Sequence, residues 1–211
     1  GVVVLPQLSK HVYQKKKKKI SLIQNKALEL SMFLSIPASV ALIIGSEQII
    51  SALFGYGSFT EVSVKNSSRA LYYFGLGLPA FALIKVFSTF FFANHDTKTP
   101  FYISLVSVLL NILISVYFFK DIGFIIIPIA TTISSWFNSL TLFIFLKNNE
   151  LFSFNKIFFK KFVKIVFVSI MMGFFFEYLI LFFDNQLSYA FFLKSVYLIL
   201  CVFLAIIFYL T

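Results

Sequence analysis

Long apolar runs separated by short polar stretches make up almost the whole chain. Six of these runs are close to 20 residues long: 27–45, 70–93, 101–119, 124–146, 162–183 and 190–210. A helix rises about 1.5 Å per residue, so about 20 apolar residues cross roughly 30 Å of hydrocarbon. Residues 1–9 have the character of the end of a seventh helix, closed by Pro6 and Ser9. The pattern predicts an all-α, polytopic membrane bundle with six full transmembrane helices, in a chain that begins inside a helix.

The polar stretches predict how these helices are connected. We expect a basic loop at 10–26 and a second loop at 147–161 on one side of the membrane, and a long loop at 46–69 on the other. Within 46–69, Ile49, Ile50, Leu53 and Phe54 share one helical face, which favours a short helix at the membrane surface.

The shortest connection follows three consecutive phenylalanines and reads NHDTKTP over 94–100. Asp96 is placed to accept backbone N–H bonds, and Pro100 favours the start of a helix. We therefore expect a tight turn between two spans.

Composition agrees with this topology and excludes a soluble protein. The chain of 211 residues is 60% hydrophobic, has 31 phenylalanines and is only 12% charged, where a soluble domain averages about 25% charged residues. The strict alternation of a barrel strand is absent. The single cysteine, Cys201, lies in an apolar run, so the chain has no disulfide framework.

The basic residues orient the chain. Thirteen of the 18 lysines and arginines fall in 10–26, in the 94–100 turn and in 147–164. Since Lys and Arg concentrate on the cytoplasmic side, these segments and both ends of the chain are predicted to be cytoplasmic. The net charge of +10 then needs no nucleic-acid partner. The run Lys15, Lys16, Lys17, Lys18 and Lys19 has two compatible interpretations: an orienting loop, or a site for anionic lipids worth about 1 kcal/mol per basic residue.

Three charged residues lie four or more positions inside the ends of the predicted spans. Lys85 is about nine residues, roughly 13 Å, from the cytoplasmic end of its helix and shares a face with Ser88 and Thr89. It either snorkels to the interface or bonds to neighbouring backbone carbonyls, or it lines a hydrated cavity that receives an anion. Glu177 and Lys194 fall at similar depths on consecutive helices, which predicts an ion pair or a shared polar site.

Two neighbouring spans carry an unusual number of amide and hydroxyl groups. Asn111 and Ser115 share a face of one helix, and Thr131 begins a polar stretch on the next. Such residues let helices approach and hydrogen-bond, or they form a small cation site. Prolines at 37, 79 and 128 also fall inside spans, as is common in secondary transporters.

No enzyme constellation is visible. The two histidines, His11 and His95, each lie near a membrane surface without a second ligand at metal spacing. Glycine-rich phosphate loops, nucleophile elbows and paired catalytic carboxylates are lacking, so the sequence predicts a protein that is not an enzyme.

Three motifs together resemble a known family. They are VVVLPQLSK at 2–10, LFGYGSFT at 53–60 and RALYYFGLGLPAFALIKVFSTFFFANHDTKTP at 69–100. In this order and spacing they resemble the carboxy-terminal half of the lipid II flippase (MurJ/MviN) family, within the multidrug/oligosaccharidyl-lipid/polysaccharide exporter superfamily. The resemblance implies the carboxy-terminal lobe of a two-lobe transporter of the bacterial inner (plasma) membrane, whose amino-terminal lobe would be a partner of this one.

The resemblance also implies a function. Members of the family move undecaprenyl-pyrophosphate-linked peptidoglycan precursor from the inner to the outer leaflet by alternating access, and Lys85 falls at a cavity position. Some members bind sodium, and Asn111 and Thr131 fall at matching places, although Ser115 stands where those members have an aspartate. No cofactor is implied beyond sodium or proton coupling. Two rivals stay open: an exporter of another lipid-linked oligosaccharide or of drugs, and a membrane scaffold that transports nothing.

The topology makes a first prediction about sidedness. In the full-length protein, single cysteines introduced as Lys17→Cys and Asp184→Cys should react with an impermeant thiol reagent from opposite sides of the membrane. Labelling of both from one side, in intact cells and before lysis, would contradict the predicted orientation.

Overall fold

The computed structural model describes residues 4–13, 17–188 and 193–211, and this part of the chain is almost entirely helical. Nine α-helices follow one another: α1 (Val4–Tyr13), α2 (Lys17–Ile44), α3 (Ser46–Phe54), α4 (Glu61–Ala93), α5 (Lys98–Ile122), α6 (Ile126–Asn148), α7 (Lys156–Phe182), α8 (Asp184–Leu187) and α9 (Lys194–Leu210). A 3₁₀ turn, Gly123–Ile125, joins α5 to α6. The all-α prediction is confirmed.

Among the described residues, four helical segments are long and apolar enough to cross a bilayer: Lys18–Ile44, Glu61–Ala93, Lys98–Asn148 and Lys156–Phe182. The third contains both α5 and α6, which reverse direction at Gly123. That residue has a φ of +72°, which glycine adopts without strain. The last helix, α9, is a shorter apolar helix. The number of six spans stays a prediction.

The predicted basic loop at 10–26 is the main correction to the topology. Helix α1 continues to Tyr13 and α2 already begins at Lys17, so most of this segment is helical. Lysine is a good helix former, and Ile20 and Ile23 pack on the apolar core of the same end. The segment is therefore a polar extension of a spanning helix. Helices α4 and α7 also start earlier than the predicted spans, at N-caps made by Thr60 and Asn155.

Two short features predicted from sequence are present. The short helix expected within 46–69 is α3, and its position at the membrane surface stays a prediction. In the turn before α5, Asp96 Oδ1 accepts the N–H of Thr99 at 3.0 Å. This bond holds the pKa of the Asp96 carboxyl below its usual value, so the cap is present at neutral pH and is lost only as the pH falls through that lowered pKa.

Polar clamps and aromatic rings close one end of the bundle, which we call the basic end: the start of α2, the α4–α5 turn and the α6–α7 loop. Gln24 and Asn25 of α2 bind the loop through the carbonyls of Leu151 and Ser153, at 2.8 and 2.9 Å. Below them, a cluster of phenylalanine rings interlocks with centroids 4.8 to 6.4 Å apart: Phe87, Phe90, Phe143, Phe152 and Phe154. The opposite end, with α3, the α5–α6 turn and the α7–α9 connection, is called the distal end.

Two prolines inside helices leave carbonyls that other helices satisfy. Pro37 of α2 has no N–H for the carbonyl of Phe33, four residues before it. The hydroxyl of Tyr209, at the end of α9, donates to that oxygen at 2.9 Å. The Tyr209 and Phe33 rings also lie 5.1 Å apart. The last helix thus completes the hydrogen bonding of α2.

The second proline repeats this arrangement. Pro79 of α4 leaves the carbonyl of Gly75 without its usual donor, and Ser39 of α2 donates to it at 2.7 Å. From the other side, Thr132 and Trp136 of α6 donate to nearby carbonyls of α4. Pro128 needs no such partner because it lies in the first turn of α6.

These bonds predict a specific coupling. Removing the hydroxyl in Tyr209→Phe should leave the Phe33 carbonyl without a donor and destabilise the protein by about 1 kcal/mol. In a Pro37→Ala background, where the helix regains its own N–H, the same change should cost much less. Thermal unfolding of the four variants of this double-mutant cycle in full-length protein measures the coupling.

The matched control is Tyr117→Phe, because Tyr117 is an exposed tyrosine on α5. Equal losses of stability at Tyr209 and Tyr117, or an effect of Tyr209→Phe that does not depend on Pro37, would contradict this assignment.

Candidate functional site

A groove of about 480 Å³ runs between α2 and α4 and contains Lys85. Small and apolar side chains form most of its wall: Ala27, Leu30, Leu34 and Ala38 from α2, and Leu78, Phe81, Ala82 and Val86 from α4. The Lys85 side chain is exposed. Within the described residues, Nζ of Lys85 forms no hydrogen bond and no ion pair. The ion pair found among these residues joins Lys161 to Glu29. The groove therefore presents an unneutralised cation on an apolar wall.

The predicted trio around Lys85 is only partly brought together. Thr89 lines the groove with Lys85, and its hydroxyl donates to the carbonyl of Lys85 at 2.7 Å. Ser88 is not among the residues that line the groove. On a helix, positions i+3 and i+4 lie on opposite sides of position i, so a narrow groove takes one of them and not the other.

Sequence reasoning missed two serines on the facing helix. Ser31 and Ser35 of α2 line the groove opposite Lys85. Ser35 is 7% exposed, and its Oγ has no hydrogen-bond partner. A buried hydroxyl without a partner is costly, so this one is free to bind a polar group that enters. The i, i+4 spacing of small residues (Ala27, Ser31, Ser35) was the available signal.

A second polar cluster lies between α5 and α6, around a cavity of about 350 Å³. The amide of Asn111 donates to the hydroxyls of Thr131 at 3.0 Å and Ser134 at 3.3 Å. Ser115 donates to the Asn111 carbonyl oxygen at 3.4 Å. The three residues predicted from sequence are thus in direct contact.

The cluster is rich in oxygen but has no charge. Ser104, Ser107, Ser135 and Asn138 complete its polar lining. The Oδ1 of Asn138 is buried without a partner. No carboxylate or histidine is among the lining residues, and no group of three or more metal-ligating side chains occurs anywhere in the described part of the chain. Any cation here would be held by neutral oxygens.

The predicted Glu177–Lys194 ion pair is not formed. Glu177 lies on the exposed side of α7. Lys194 is 1% exposed and donates from Nζ to the carbonyl of Gly55 at 2.6 Å. The same ammonium lies 4.3 Å from the centre of the Tyr56 ring. The sequence placed both residues at one depth but could not show that the loop after α3 folds over the start of α9.

The lysine run at 15–19 is only partly within the described residues. Lys15 and Lys16 lie outside them, and α2 begins at Lys17. Lys18 and Lys19 are exposed on its first turn. Their binding to anionic lipids stays a prediction.

Comparison with known proteins identifies the relatives of this fold. The family described as lipid II flippase MurJ matches residues 1–198. A probable lipid II flippase MurJ of Rhizobium meliloti is 36% identical over 143 residues, which is 68% of this chain and 27% of that protein. A protein of the same description from Rickettsia prowazekii is 35% identical over 138 residues, 65% of this chain and 27% of its own.

A solved structure agrees with the sequence comparison. The chain superimposes on a lipid II flippase MurJ in an inward closed conformation with a TM-score of 0.77, at 29% identity, over 98% of this chain and 41% of that one. The chain spans about a quarter of the length of the curated relatives named above. Its motifs, its helical fold and these matches together show that the chain is part of a multi-pass bacterial membrane protein and belongs to the lipid II flippase MurJ family.

Proposed function

We propose that this chain is the carboxy-terminal lobe of a transporter that moves undecaprenyl-pyrophosphate-linked peptidoglycan precursor from the inner to the outer leaflet by alternating access. Membership of the MurJ family supports this proposal. The structural observation that carries it is Lys85, an exposed ammonium without a counter-ion in the groove between α2 and α4.

The chemistry of the substrate explains why such a residue would be kept. A diphosphate cannot cross hydrocarbon without polar partners, because its charges lose their hydration. A lysine within a spanning helix costs about 2.5–3.5 kcal/mol on insertion scales. That cost is offset when the ammonium meets an anion. Lys85 would supply this charge, and the free hydroxyl of Ser35 would add a hydrogen bond.

The lobe acts with the rest of the protein. The groove is one wall of a cavity, and the amino-terminal lobe would supply the facing wall and further cationic groups. The lipid tail would stay in the bilayer. No covalent chemistry is needed, so the protein would work as a transporter and not as an enzyme. We place it in the bacterial inner membrane with the basic end in the cytoplasm, where Lys15–Lys19 would face anionic lipids.

The proposal makes a prediction about Lys85 in the full-length protein. Lys85→Glu should lower transport at least about tenfold, because it replaces an attraction to the diphosphate by a repulsion, while Lys85→Arg should keep most of the activity. The measurement is the amount of lipid-linked precursor reachable from outside the cell after the native flippase is depleted, with membrane expression held equal.

Lys120→Glu is the matched control, because Lys120 is an exposed lysine in the last turn of α5, away from the groove. Full transport by Lys85→Glu would overturn the role of this residue. Normal expression of the unaltered protein with lysis of the depleted cells would favour a scaffold. If the protein moved another lipid-linked oligosaccharide to the outer leaflet but not the peptidoglycan precursor, that result would favour a related exporter.

A second proposal concerns the driving ion. We propose that the Asn111–Thr131 cluster takes a sodium ion, weakly, through neutral oxygens. The unpartnered Oδ1 of Asn138 in the same cavity favours this proposal. A proton is a poorer candidate, because none of the residues that line this cavity titrates near neutral pH.

The sodium proposal predicts opposite effects of two substitutions. Replacing choline chloride by sodium chloride at constant ionic strength should raise the Tm of the purified full-length protein. Asn111→Ala should abolish the rise. Ser115→Asp should reduce the half-saturating sodium concentration about tenfold, equivalent to ~1.4 kcal/mol, by adding a negative ligand.

Thr141→Ala serves as the control, because Thr141 is a hydroxyl residue of α6 that bonds to its own helix outside the cluster. The same sodium response in Asn111→Ala and in Thr141→Ala would show that the cluster only joins the two helices.

A further inference from the structure

A small cavity at the distal end collects three carboxylates from three different elements. Its volume is about 280 Å³. Glu47 comes from α3, Glu61 from the first turn of α4 and Asp184 from α8. Lys65 is the cation that lines the same cavity. The charges therefore do not balance, with one positive group against three negative ones.

Within the described residues, these three carboxylates take part in no ion pair. The ion pair of the described residues, Lys161 with Glu29, lies at the basic end. Lys65 forms no ion pair with Glu61, although the two are four residues apart on one helix. All three acidic residues are exposed, so water screens part of their mutual repulsion, and a cation between them would reduce it further.

Two buried oxygens add an independent sign of a ligand. Ser51 lines the cavity and is 6% exposed, and its Oγ has no hydrogen-bond partner. The Oε1 of Gln48, another lining residue, is also buried without a partner. Buried polar atoms are almost always satisfied, and side-chain oxygens beside carboxylates are the ligands that hard cations prefer.

The spacing of the carboxylates restricts the kind of cation. Within the described residues, no three acidic or other metal-ligating side chains come close enough to hold one metal ion directly. Calcium takes six to eight direct oxygen ligands, whereas magnesium keeps several of its waters and binds through one or two carboxylates. A hydrated ion can reach widely spaced groups through its water shell.

We propose that this cavity binds a hydrated divalent cation of the magnesium class, which links α3, α4 and α8 at the distal end. The cation would neutralise the three carboxylates, and its waters would donate to Ser51 and Gln48. This site is separate from the groove and from the Asn111–Thr131 cluster, so it does not depend on the proposed transport function.

The experiment uses purified full-length protein in zwitterionic lipid nanodiscs, freed of metal with EDTA. Magnesium chloride should raise the Tm by several degrees with a saturable dependence, at an ionic strength held constant with choline chloride. Glu61→Gln and Asp184→Asn should each raise the half-saturating magnesium concentration at least about fivefold. The control Glu150→Gln, an exposed carboxylate at the basic end, should respond like the unaltered protein.

Ser51→Ala separates a ligand from a structural role. Since the Ser51 hydroxyl has no partner in the protein, the variant should be as stable as the unaltered protein without metal, yet bind magnesium more weakly. Three results would overturn the proposal: unaltered magnesium affinity in all cavity variants, a larger shift with calcium than with magnesium, or a shift produced by the diamine putrescine but not by magnesium.

Discussion

In hydrocarbon every backbone carbonyl needs a donor from the protein, and two prolines remove such donors from the helices that form the groove. Tyr209 and Ser39 restore them across helix boundaries. The bonds link α9 to α2 and α2 to α4, and Thr132 joins α6 to α4 through the carbonyl of Tyr73, which keeps its usual donor. Four helices that are separate in sequence are thus linked by side-chain hydrogen bonds to backbone carbonyls, and two of these carbonyls lie at proline sites. The position of the groove follows from these links, because its two walls belong to the two proline-containing helices.

The same structure divides the chain into regions with different physical character. At the basic end, interlocked rings and the Gln24 and Asn25 clamps fix the α6–α7 loop on α2. In the middle, the groove and the Asn111–Thr131 cluster hold polar groups whose bonding is incomplete. At the distal end, unneutralised carboxylates surround a further cavity. Within the described residues, four of the five buried side-chain atoms without a hydrogen-bond partner lie away from the tightly packed end, and the exception is Nδ1 of His11.

Much of the fold could be predicted from sequence because its causes are local. The length of the apolar runs predicts the long helices. The apolar residues that share one face around Ile49 and Ile50 predict α3, and Asp96 three residues before Thr99 predicts the cap. The prediction of a loop at 10–26 was wrong, because the helix there is held partly by contacts with a loop more than 120 residues away in the chain. The same limit applies to the sites. Asn111 and Thr131 are near in sequence and were found together, whereas Ser35 gains its significance only from the helix that faces it.

Lys194 illustrates how a buried charge can have a purely architectural origin. Its ammonium donates to the carbonyl of Gly55 and lies against the ring of Tyr56, in a space with almost no access to solvent. Arginine would introduce a broader, flat head group with five donors that need partners. Methionine would fill the volume but leave the Gly55 carbonyl without the hydrogen bond from Lys194. Few other residues should therefore be tolerated at this position, for reasons of packing alone. Conservation of this lysine among relatives would then reflect the shape of the space around it. Such conservation would not be evidence that the residue contacts a substrate.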